Sequence, residues 1–70
     1  MRKLYYVIEI ELDDALISGI KFVIVYEIIN NIPVRIFDLE IAYEDSSEDA
    51  IQNYLNDNGY GDKIFELIQL

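Results

Sequence analysis

Residues 3–12 alternate with a period of two: Leu4, Tyr6, Ile8, Ile10 and Leu12 fall on one side, Lys3, Tyr5, Val7, Glu9 and Glu11 on the other. Successive side chains of a strand point to opposite faces, so this pattern predicts a β-strand. Asp13, Asp14, Ser18 and Gly19 mark residues 13–19 as a loop. Residues 20–29 are rich in β-branched and aromatic types and read as a second strand. Asn30-Asn31 suits a two-residue hairpin turn, because asparagine tolerates positive φ. Residues 32–43 then form a third strand with Phe37, Leu39, Ile41 and Tyr43 on one face.

The period changes after Tyr43. Ser46 with Asp49 three positions on is a capping-box pattern, and Glu48 and Asp49 suit the positive end of a helix dipole. Ala50, Ile51, Tyr54 and Leu55 recur at helical spacing, and Asn58-Gly59 is a natural stop. Residues 63–70 are read as a last strand rather than a short helix, from their β-branched content. The expected fold is therefore a single α+β domain over residues 1–70, with element order βββαβ. Pro33 lacks a backbone donor, which places the third strand at an edge. The helix must cross over the sheet, so strand four lies parallel to strand one, in a mixed sheet of order 3-2-1-4 with the helix on one face.

A register follows from the turn. With Ile29 opposite Ile32, Val25 faces Ile36 and Lys21 faces Glu40. If Glu11 also pairs with Lys21, Val7 faces Val25 and Tyr5 faces Glu27. The helix-covered face would then hold Tyr6, Ile8 and Ile10, with Phe22, Ile24 and Tyr26 beside them, and Phe37, Leu39 and Ile41 beyond. The opposite face divides in two. Tyr5, Val7, Val25, Ile29, Val34 and Ile36, together with Ile32, make an apolar half. Glu9, Glu11, Asp38 and Glu40 surround Lys21 in an acidic half. An apolar patch beside a charged one is the expected form of an interaction surface.

Charge sharpens that reading. Fourteen acidic and five basic residues give a net charge of −9, yet 53% of the chain is hydrophobic. Such a chain folds and presents a strongly negative surface, suited to a basic partner. It is ill suited to direct contact with nucleic acid or an anionic membrane, which need lysine and arginine. A domain of 70 residues builds a small core. Without cysteine it has no disulfide, and without cysteine and histidine it has no ordinary zinc site. Oligomerisation is the stabilising device left, and a homodimer through the apolar half-face is expected. The lack of cysteine fits a cytoplasmic protein. Glu9 and Glu11 interrupt the apolar run that a signal peptide would need.

Little chemistry is available. Ser18, Ser46 and Ser47 are the only hydroxyl nucleophiles of the serine or threonine type, no histidine can serve as their base, and Ser46 and Ser47 read as helix caps. Glu44, Asp45, Glu48 and Asp49 could bind a divalent cation, but a solvated helix cap accounts for them. Asn56–Asp62 lacks the terminal glutamate of a calcium loop. No cofactor and no metal are expected. No family motif covers the chain. Small acidic proteins of phages and mobile elements are similar in size and charge.

The expected function is that of a small acidic, non-enzymatic protein-interaction module. Its sharp form is an inhibitor that mimics DNA on a basic host protein. Carboxylates two apart on a strand lie ~6.8 Å apart, which suits imitation of successive backbone charges. The alternative is a homodimeric structural or accessory subunit whose charge serves solubility. A carboxylate-based enzyme or metal site is the remote alternative.

Overall fold

The computed structural model describes residues 2–10, 19–61 and 65–70. Strands β1 (Arg2–Glu9), β2 (Ile20–Ile29) and β3 (Ile32–Ala42) precede helix α1 (Ser47–Asp57) and strand β4 (Phe65–Gln69). The sheet order is β3-β2-β1-β4, with β4 parallel to β1 and the other pairs antiparallel. This is the expected α+β arrangement.

Local chemistry explains the element ends. Asn30 and Asn31 both take positive φ, at 53° and 64°, as a tight hairpin between right-twisted strands requires. The Ser46 side chain accepts a 3.3 Å hydrogen bond from the Asp49 backbone N–H, so it caps α1. Gly59, at φ 86°, turns the chain away, and the Tyr60 N–H returns to the Leu55 carbonyl at 2.9 Å.

The core lies between the sheet and α1. Leu4 and Tyr6 from β1, Val23 and Val25 from β2, and Ile51 and Leu55 from α1 are buried together. Ile8, Phe37, Leu39, Ile41, Phe65 and Leu67 pack around them.

The register departs from expectation at one point. Near the turn, Ile29 opposes Ile32, as foreseen, and Tyr26 opposes Arg35, but beyond a β-bulge Val25 opposes Phe37 rather than Ile36 and Lys21 opposes Ile41 rather than Glu40. One extra residue on β3, Ile36, is thereby left unpaired. On the other side Val7 opposes Ile24, and Tyr5 opposes Tyr26. A one-residue slip exchanges the two faces of a strand. Val23 and Val25 therefore enter the core, while Phe22, Ile24 and Tyr26 move to the face away from α1. Lys21 does not sit between two glutamates; its Nζ lies 6.0 Å from the Tyr43 ring centroid. The proposed Glu11–Lys21 pairing lies outside the described residues.

Candidate interaction surface

Alternation and register define three cross-strand rows on the face away from α1. Glu9, Phe22 and Glu40 form the first, and Val7, Ile24 and Asp38 the second. Tyr5, Tyr26 and Arg35 form the third, which Ile68 of β4 extends beside Tyr5. An apolar and aromatic centre is thus edged by three exposed carboxylates toward one end. Glu9 and Glu40 stand two strands apart, about 10 Å, with Phe22 between them. Ile24, at the centre, is only 6% exposed although it stands outside the core cluster under α1. Asp38 also pairs with Arg35, but both side chains are 55% exposed, so this ion pair contributes little stability.

Glu9, Asp38 and Glu40 share one face, as the sequence suggested, and Glu11 lies outside the described residues. The apolar set is dispersed. Tyr5 and Val7 are on the carboxylate face. Val25 is fully buried beneath the helix and is not an interface residue. Ile29, Val34 and Ile36 are exposed on the β2–β3 hairpin, toward the helix side. Reading the sequence alone missed Phe22, Ile24 and Tyr26 on the carboxylate face and Ile28 at the exposed hairpin end. No glycine in β2 or β3 announces the bulge behind the changed faces of Phe22 and Ile24.

A second feature lies where this hairpin approaches the end of α1. A cavity of about 160 Å³ is bordered by Arg2, Glu27, Phe37, Tyr54, Tyr60 and Phe65, among others. Phe37 and Tyr54 stack at 4.1 Å between centroids, and Tyr60 meets Phe65 edge to face at 6.2 Å. The Arg2 guanidinium bonds Oε2 of Glu27 through Nε at 3.0 Å and Nη2 at 2.5 Å. Its Cζ lies 5.3 Å from the Phe65 ring centroid.

The acidic start of α1 serves structure. Glu48 Oε2 accepts a bond from the Tyr6 hydroxyl at 2.8 Å. Burial, then this bond and the Glu48 charge, push the Tyr6 phenol up to about 12. Among the described residues, no group of three or more carboxylates is placed to hold a metal ion. No helix among them is long and apolar enough to cross a membrane. Comparisons with protein-family models, curated proteins and solved structures found no match.

Proposed function

We propose that the chain is a small acidic, non-enzymatic interaction module that presents carboxylates to the basic, nucleic-acid-binding surface of another protein. In this reading it acts in the cytoplasm as a DNA mimic, in the manner of a phage or mobile-element inhibitor. The observation that carries the reading is the grouping of Glu9, Asp38 and Glu40 around Phe22 and Ile24 on one sheet face. Ile24 itself is buried, so the half-buried Tyr5, Val7 and Phe22 supply the apolar contact, and the edging charges steer encounter and select a partner of opposite sign. The net charge of −9 adds long-range attraction to any basic surface.

The test is competition. A panel of basic DNA-binding domains, each holding labelled duplex DNA, is titrated with the chain at low and high salt. At least one domain should release its DNA at low salt. The triple variant Glu9→Lys, Asp38→Lys, Glu40→Lys should displace it far less well. Failure to displace DNA from any domain, or equal displacement by the triple variant, would overturn the reading.

A second reading is a homodimeric structural or accessory subunit. The exposed hairpin end favours it: Ile28, Ile29 and Ile32 are 44%, 45% and 61% exposed. Sedimentation velocity of wild type and Ile32→Lys distinguishes it, because a dimer through this end dissociates in the variant.

A further inference from the structure

The cavity between the β2–β3 hairpin and the end of α1 is built like a receptor for a cation, and the chain's own Arg2 stands in its wall, paired with Glu27. Glu27 supplies the counter-charge. Its side chain is only 18% exposed, so its ionised form needs a cationic partner more than a surface carboxylate does. Phe65 supplies a ring face under the guanidinium at 5.3 Å, within the range of an attractive cation–ring contact. The Phe37–Tyr54 stack forms part of the aromatic border, and Tyr60 braces Phe65 from its edge.

Two details show that Arg2 does not exhaust this site. Both of its bonds go to Oε2 of Glu27, which leaves Oε1 without a protein donor among the described residues. The Arg2 side chain is itself 48% exposed, so solvent screens the pair and Arg2 is weakly held. The remaining space is about 160 Å³, and a cavity of about 150 Å³ accepts a benzene ring, comparable in size to a planar guanidinium with its adjoining methylenes.

We propose that this cavity is a guanidinium-binding site, whose carboxylate Glu27 is paired with Arg2 in the isolated chain and taken over by an arginine side chain of the basic partner. The inference rests on the reading of the chain as a receptor for a basic protein, and it names the side chain that is recognised. The exchange replaces one guanidinium by another, so Glu27 is never left uncompensated. A planar fork can engage both Glu27 oxygens while lying on Phe65, whereas an ammonium offers a point charge and no planar face.

The probes are the capped tripeptide Gly-Arg-Gly and its lysine and citrulline counterparts, titrated into the full chain. Binding is read from the ring resonances of Phe65 and Tyr60. Arg2→Ala should bind the arginine peptide several-fold more tightly than wild type, the gain expected when a competitor for Glu27 is removed. Adding Glu27→Gln should abolish that gain. The lysine peptide should bind several-fold less tightly, and the citrulline peptide should leave the rings unmoved. Arg2→Gln, which keeps a hydrogen-bond donor near Glu27, carries the same comparison if Arg2→Ala fails to fold. Equal affinities for wild type and the Arg2 variants, or indifference to Glu27→Gln, would overturn the site. A basic domain that binds with strong salt dependence yet ignores Glu27→Gln would overturn the site and leave the receptor reading standing. Glu27-dependent capture of the arginine peptide, with no basic domain bound, would keep the guanidinium site and overturn the receptor reading.

Discussion

The Tyr6 hydroxyl and Oε2 of Glu48 lie 2.8 Å apart and join the middle of β1 to the first turn of α1. The phenol is almost completely buried, and the carboxylate also complements the helix dipole. This bond ties the first turn of the helix to the sheet, beside the Ser46 cap and the Ile51 and Leu55 packing.

This pairing makes stability fall at high pH. The folded state holds the Tyr6 phenol up to about 12, above an ordinary value of 10.0, and so favours the protonated form. The stabilisation is full below pH about 10 and is lost as pH rises toward about 12. Phenolate absorbance should show one late-titrating tyrosine that is absent in Tyr6→Phe. Urea unfolding of wild type at pH 9 and pH 11 should show the lost stability, with Tyr6→Phe less sensitive over the same interval. Identical titrations of the two proteins would refute the assignment.

Ser47 and Ser46 should respond to alanine in opposite directions. The Ser47 hydroxyl is buried without a hydrogen-bond partner among the described residues. Replacing it with alanine removes an unsatisfied polar group and should stabilise by about 1 kcal/mol, or about 4–8 °C in Tm for a domain of this size. Ser46 caps the helix, so Ser46→Ala should destabilise by about 1 kcal/mol. Thermal unfolding by circular dichroism measures both.

Val25 and Ile32 test the register. Val25 is fully buried in the core and Ile32 is 61% exposed at the hairpin. Val25→Asp should prevent folding, since it places an unpaired charge under the helix. Ile32→Lys should change stability by less than about 0.5 kcal/mol. A folded Val25→Asp protein would show that the faces of β2 are assigned the wrong way round.

Charge reversal at Glu9, Asp38 and Glu40 should separate binding from folding. All three are exposed. Their replacement by lysine should leave the melting temperature unchanged or slightly raised, because the chain's self-repulsion declines. Association with a basic domain should slow, and its dependence on salt should flatten. Stopped-flow kinetics at two salt concentrations decide the point; an unaltered on-rate would assign recognition to the apolar centre.

Much of this molecule is written locally in its sequence. The period-two runs, the Asn30-Asn31 turn, the Ser46 cap and the Asn58-Gly59 stop depend on residues near one another in the chain, and each appears where local physics puts it. The sheet order follows as well, because a helix between two strands of one sheet imposes a crossover and Pro33 belongs at an edge. The shared face of Glu9, Asp38 and Glu40 was legible for a similar reason. Alternation within β1 and β3 puts these residues opposite the helix-facing Ile8, Phe37 and Leu39, whatever β2 does.

Only the tertiary structure decided which face of β2 is buried. Ile20–Ile29 carries its two charges, Lys21 and Glu27, on the same side as Val23 and Val25, so alternation alone points Phe22 and Ile24 toward the helix, the opposite of what is found. The bulge after Val25 leaves Ile36 unpaired and sets Val23 and Val25 opposite Leu39 and Phe37 on the helix side. The cation site has the same origin. Arg2, Glu27, Phe65 and the Phe37–Tyr54 stack are far apart in the chain, and neither charge pattern nor periodicity links them. They meet because the parallel placement of β4 beside β1 sets Phe65 next to Arg2, while β2 brings Glu27 to the same end of the sheet.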